Sequence, residues 1–488
     1  MTTGQAAAVL ESAHPDAVSP SSVSLSPVPP GSAPPAGILQ RPYLLVTIGA
    51  CALVFLGAFE SLAVTTIMPV VSRDLNGTSL YALAFAGPLA TGVIGMVAAG
   101  NWSDRRGPSA PLYASVAMFV FGLLIAGTAG SMPVLVAGRL AQGLAGGAMT
   151  VALYVVVARV YPALLHPKIF AAFAAAWVVP SLVGPFAAGL VAQALSWHWV
   201  FLGVVGLVLP AMVMIFPALR GLGKAPAKQA APGAYGRMAW AALAALAVLG
   251  LNLSAEVRIT DLPVAGVLLA VAALAIAVVA VRPLVPSGTL TARRGLPSVI
   301  LTRGLASAAF FGAEVYLPYL LIERYAFSPT FAGLTLTGGA LAWAGASVIQ
   351  GRLGARLAHS VAVRIGSALV LAAVVLALAT TALSWAAAVA IIGWIVAGGG
   401  MGLMYPRLSV MTLALSTKDT AGFNSSAMSI SDSLGGALAL ATTGIVFPAF
   451  TTTADSFSGV FALSAAIAVA AVIVAPRVAA KPAASPAG

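Results

Sequence analysis

Five ionisable side chains sit deep inside long apolar stretches of this 488-residue chain: Glu60, Arg139, Glu314, Arg407 and Asp432. A charge at the centre of a bilayer is costly unless it faces a partner or a polar cavity, so each is a functional candidate. At about 1.5 Å per residue, Glu60 lies roughly 18 Å before the end of its stretch. Arg139 lies roughly 12 Å after the start of its own, on the same side of the membrane, and a long arginine bridges that difference. The two are expected to pair, either at a site of coupling or as a permanent structural ion pair. Arg407 and Asp432 occupy comparable depths on consecutive stretches, and a buried ion pair between them is expected, with structure alone enough to explain it. Glu314 has no equally obvious partner, which suits a coupling site or an anchor for a cationic substrate.

The elements that must position these residues follow from composition. The chain is 60% hydrophobic and only 7% charged, with a mean hydropathy of +1.02, whereas soluble domains carry roughly 25% charged residues. A span needs about 20 mostly apolar residues. Fourteen such runs can be read: 43–72, 79–100, 110–129, 131–158, 168–194, 199–218, 237–255, 262–281, 296–322, 330–351, 363–383, 385–415, 421–449 and 456–476. None shows the period-two pattern of a membrane barrel. The fold class is therefore all-α and membrane-spanning, with fourteen transmembrane helices arranged as two six-helix halves plus two inserted central helices. The expected organisation is a Pro/Ser/Ala-rich disordered cytoplasmic tail (1–40), an N-terminal half (41–219), a basic linker carrying the two extra helices (220–295), a C-terminal half (296–476) and a short tail (477–488).

The net charge of +12 is spread over short loops rather than gathered on a polar domain, so nucleic acid is not an expected partner. With both termini inside, nearly all loop arginines and lysines, Arg303 among them, fall on the cytoplasmic side, and only Arg73, Arg258 and Arg324 fall outside. The lone Cys51 allows no intrachain disulfide and no cysteine metal site. No G-x-x-x-x-G-K-[ST] loop and no H-E-x-x-H is present, so neither ATP-driven pumping nor metalloprotease chemistry is expected. No cofactor or metal is expected; the energy source would be an ion gradient, most simply protons.

The charged turn Gly100-Asn-Trp-Ser-Asp104-Arg105-Arg106-Gly107 resembles the loop between helices 2 and 3 of the major facilitator superfamily. In the fourth span, Arg139-Leu-Ala-Gln142-Gly143-Leu-Ala-Gly146-Gly147 resembles the R-x-x-Q-G pattern of its drug exporters. In the fifth, Pro180-Ser-Leu-Val-Gly184-Pro185-Phe-Ala-Ala-Gly189 is similar to the antiporter signature G-x-x-x-G-P-x-x-G-G, with Pro180 and Ala188 departing from it. Trp197-His198-Trp199-Val-Phe201 resembles a sequence common in the fourteen-span drug:proton antiporters, with His198 where arginine is usual.

That resemblance implies a proton-coupling role for Glu60, with Arg139 as its modulator. It implies a conformational gate at Gly100, Asp104, Arg105 and Gly107, to which Gly184 and Pro185 are expected to add a hinge, because Pro185 frees a carbonyl and bends the fifth span. Phe55-Leu-Gly-Ala-Phe-Glu60 in the first span echoes Phe310-Phe-Gly-Ala-Glu314 in the ninth, the first helix of the second half. Repeated halves around a midplane cavity are how secondary transporters alternate access. The cavity is expected to be lined by Phe55, Phe59, Phe311 and Tyr316, with Glu60 and Glu314 as polar handles and Glu314 serving both coupling and substrate binding. The expected function is proton-coupled export of amphipathic or cationic drugs by a monomer in the plasma membrane, with the lipid bilayer and a small-molecule substrate as its partners. Uptake, lipid or metabolite transport, or a non-transporting sensor or scaffold of the same fold remain the alternatives.

Overall fold

A computed structural model describes residues 37–162, 165–221, 234–259, 263–353, 356–417 and 420–479. Most of the expected N-terminal tail, Lys224 and Lys228 of the linker, and most of the C-terminal tail lie outside the described residues.

The described residues form α1 (Leu44–Asp74), α2 (Leu83–Arg106), α3 (Ser109–Gly127), α4 (Met132–Val160), α5 (His166–Ala194), α6 (His198–Gly221), α7 (Ala234–Ile259) and α8 (Pro263–Val281). After them come α9 (Leu296–Glu314), α10 (Tyr316–Tyr325), α11 (Pro329–Leu353), α12 (His359–Ala382), α13 (Ala387–Ala414), α14 (Ala421–Val446) and α15 (Thr453–Val474). Helices α9 and α10 are one span, Leu296–Tyr325, interrupted at Val315. Thirteen helices are long and apolar enough to cross a membrane, and α7 supplies a shorter apolar stretch, Gly236–Asn252. Among the described residues the fold is all-α, with thirteen candidate membrane spans and α7 as a fourteenth, shorter apolar helix. Inside a bilayer only a helix satisfies every backbone N–H and C=O within one segment, which is why these apolar runs have no other stable conformation.

The helices pack as a repeat. In the first half α1 packs on α5 and α6, α2 on α4, and α3 on α4 and α6. In the second half α9 packs on α14 and α15, α11 on α13, and α12 on α13 and α15. Substituting α9 for α1, α11 for α2 and so on turns one set of contacts into the other. The halves meet along two seams, α5 with α11 and α14 with α2, which the same substitution exchanges. The inserted α7 lies against both α2 and α14, and α8 packs on α7.

Small residues set the close approaches. A Cβ on Gly147 of α4 would overlap the Gly92 carbonyl of α2, and one on Gly402 of α13 would overlap the Trp343 carbonyl of α11. At the α5–α11 seam, Gly333 lies on the Pro185 carbonyl, where a Cβ would come within 2.7 Å of the oxygen.

One end of the bundle carries the α2–α3 turn with Arg105 and Arg106, and is called the basic end below. Helix α2 stops there because Gly107 adopts φ +85° and Pro108 follows. The other end is closed by contacts between the halves. Tyr81 donates its hydroxyl to the Val315 carbonyl at 2.9 Å, and its ring packs on Tyr316 and Tyr319 with centroids 5.6 and 4.9 Å away. Arg73 pairs with Glu323 at 3.1 Å, and Gln193 donates to Thr330 at 2.7 Å.

Candidate substrate cavity and its charged lining

Between the halves lies a cavity of about 630 Å³, walled by α1, α2, α4 and α5, with Phe119 of α3, on one side and α9 and α14 on the other. Tyr154 and Trp177, in its basic-end third, are each 50% exposed, whereas Phe85 near the closed end is 7% exposed. The cavity thus opens toward the basic end.

Its charged and polar lining comes from both halves: Glu60, Arg139 and the neutral Gln142 from the first, Arg303, Glu314 and Asp432 from the second. The structure brings Glu60 and Arg139 together. Arg139 Nη1 donates to Glu60 Oε1 and, at 2.6 Å, to Gln142 Oε1, while its Nε donates to the Ala84 carbonyl at 3.1 Å. All three side chains are buried. Gln142 lies one helical turn after Arg139, so a single face of α4 presents both to α1.

The expected ion pair between Arg407 and Asp432 does not form. Asp432 instead accepts from Arg303 Nε at 2.9 Å and Nη2 at 3.3 Å, and from the Tyr405 hydroxyl at 2.9 Å. The Arg303 guanidinium also lies 3.5 Å from the centroid of the Tyr405 ring, close enough for cation–π attraction. Arg407 points away from Asp432, donating to the Gln350 carbonyl at 2.7 Å and meeting His359 Nδ1 at 3.1 Å. The physical reason is azimuth: α14 packs chiefly on α9 and only lightly on α13, so Asp432 faces the arginine of α9. Arg303, assigned by sequence to the cytoplasmic loops, is a cavity residue. Its place inside the 296–322 run was the signal that could have found it.

Glu314 is a cavity acid with no ion pair among the described residues. Of the expected aromatic lining, Phe311 is in the cavity wall. Phe55 and Phe59 instead stack on each other, 6.4 Å between centroids, with Phe59 turned to Gly184 of α5. Tyr316 is 1% exposed within the aromatic plug at the closed end. Phe85, Phe119, Tyr154, Phe173 and Trp177 supply the aromatic wall. Gly100 and Arg105 fall in the last turns of α2 at the basic end, as does the backbone of Asp104, whose side chain lies outside the described residues. Gly184 and Pro185 sit mid-way along α5, against α1 and α11 respectively.

Two six-helix halves around a central charged cavity are one match to known proteins; sequence supplies another. The sequence profile of the Major Facilitator Superfamily matches residues 50–440. The chain belongs to that superfamily. It is a multi-pass membrane protein of a transporter family. It is 32% identical over 186 residues to a probable multidrug-efflux transporter of Mycobacterium tuberculosis, a match covering 38% of this chain and 39% of that one. It is also 31% identical over 163 residues to an uncharacterised transporter of Schizosaccharomyces pombe, covering 33% and 27% respectively. The match thus spans well under half the length of either relative. In structure the transporter is similar to a POT family transporter crystallised with a thioalcohol-conjugated peptide, with a TM-score of 0.65 at 13% identity over 89% of this chain and 96% of that one. It is similar also to a peptide transporter crystallised with sulfate, TM-score 0.64 at 16% identity over 92% and 97%. At such identities the likeness is one of fold.

Proposed function

We propose that this transporter exports amphipathic, often cationic compounds in exchange for protons, without a cofactor, working as a monomer in the plasma membrane with both termini cytoplasmic. The orientation rests on the positive-inside rule: with the basic end inside, the cavity is open to the cytoplasm. The observation that carries the reading is the charge inventory of the cavity. Three acids, Glu60, Glu314 and Asp432, face two arginines, Arg139 and Arg303, each already paired. One carboxyl, that of Glu314, is left without a counter-charge among the described residues. A monocation or a proton can satisfy it, and an exchanger needs a site where those two compete. The naming of a relative as a probable multidrug-efflux transporter agrees with this reading.

The test is transport in proteoliposomes of known orientation, with one cationic and one neutral substrate. A protonophore should abolish uphill movement of both, and ATP should have no effect. Glu60→Gln should abolish proton-coupled turnover for both substrates, whereas Glu314→Gln should impair the cation far more than the neutral compound. Uphill transport that survives the protonophore would sink the coupling.

A further inference from the structure

The two halves repeat more than their helix order. In α4, Gly143 and Gly147 follow Arg139 by four and eight residues and pack on Pro88 and Gly92 of α2. In α13, Gly398 and Gly402 follow Trp394 by four and eight residues and pack on Gly339 and Trp343 of α11. The partner residues are four apart in both halves. Each of the two aligned positions is preceded by a glycine, Gly138 and Gly393, that packs on the next helix of its half, α3 or α12. Trp394 therefore occupies in α13 the place that Arg139 occupies in α4.

The acids occupy matching places too. Arg139 serves Glu60 on α1, and Trp394 packs on α9 one helical turn before Glu314, with its ring stacked on Phe310 at 4.7 Å between centroids. Trp394 is 1% exposed, and its indole N–H makes no well-aligned hydrogen bond. The Glu314 carboxyl is near enough to interact with it. A buried donor without a well-aligned bond, close to a cavity acid, costs stability unless it is used.

We infer that Trp394 is a positioning and specificity residue for Glu314: the neutral counterpart of Arg139, orienting the carboxyl without neutralising it. In the first half an arginine fills the role and the acid's charge is matched within the protein. In the second an indole fills it, and the charge on Glu314 stays available to a substrate. Asymmetry at one pair of equivalent positions thus divides two similar acids into an internal ion pair and a cation receptor. This inference rests on the reading of Glu314 as the cation anchor.

Transport of tetraphenylphosphonium and of Nile red, as cationic and neutral probes, tests it in the full-length protein. Glu314→Gln comes first; if it leaves the KM for the cation unchanged, the anchor reading fails and the inference falls with it. If the cation KM rises, Trp394→Phe, which keeps the ring and removes the N–H, should raise it by about fivefold with kcat and the neutral KM unchanged. The same change should add nothing in the Glu314→Gln background. Trp394→Arg, which restores the first-half arrangement, should raise the cation KM by about tenfold or more while the neutral probe is still carried. An unchanged cation KM in Trp394→Phe, or an effect that persists in full without the Glu314 carboxyl, overturns the inference and leaves the anchor reading standing.

Discussion

At the scale of single residues, depth was legible and direction was not. Counting along each apolar run placed Glu60 and Arg139 within reach of each other, and the structure joins them. The same counting failed for Arg407 and Asp432, because equal depth on consecutive helices says nothing about which faces meet. The true partner, Arg303, is held on three sides by Asp432, the Tyr405 ring and the Tyr405 carbonyl, the last at 3.4 Å. Its side chain and that of Asp432 are 16% and 26% exposed to the cavity, so water tempers the pair's strength. Arg303→Met should therefore cost about 1–2 kcal/mol rather than the larger penalty of a sealed ion pair, read as a lower melting temperature in detergent. Adding Asp432→Asn should recover most of that loss, since the stranded charge is then gone; a double variant no more stable than the single one would show that Arg303 acts through its stacking on Tyr405 alone.

At the scale of helices, the runs of apolar residues marked where the chain crosses and missed where a crossing is interrupted. The ninth run reads as one uninterrupted span, yet it is divided at Val315. Pro318 supplies the cause: it has no N–H for the Glu314 carbonyl four residues earlier, so the ladder lapses beside the cavity acid. Neighbouring glycines of α4 show a second division that sequence could not make. Gly146 lines the cavity with nothing within 4 Å of where a Cβ would stand, whereas Gly147 is pressed against the Gly92 carbonyl of α2. Gly147→Ala should cost about 1–3 kcal/mol by forcing the two backbones apart, visible as a depressed melting temperature. Gly146→Ala should melt like the parent; equal losses in the two variants would mean that the helix pair is looser than its geometry shows.

At the scale of the whole molecule, the repeat of two halves was visible in the echo around Glu60 and Glu314, but the state of the cavity was not, because which end is shut depends on contacts between residues hundreds of positions apart. The Tyr81 hydroxyl and the Val315 carbonyl are such a pair, and opening of the closed end must separate them. Tyr81→Phe keeps the ring in the plug and removes that bond. In a Cys51→Ser background, a cysteine at the cavity-lining position Thr65 should then react about threefold or more faster with an impermeant maleimide applied from the closed side. Unaltered labelling would assign closure to ring packing alone. The remaining departure from symmetry is α7, which the composition placed in the chain but not in space. It lies along the α2–α14 seam, touching both, while the matching α5–α11 seam has no inserted helix laid over it among the described residues. To a greasy solute diffusing within the lipid, the molecule therefore presents a boarded flank and an unboarded one. Any sideways approach to the interior acquires a handedness that twelve paired helices on their own would not give it.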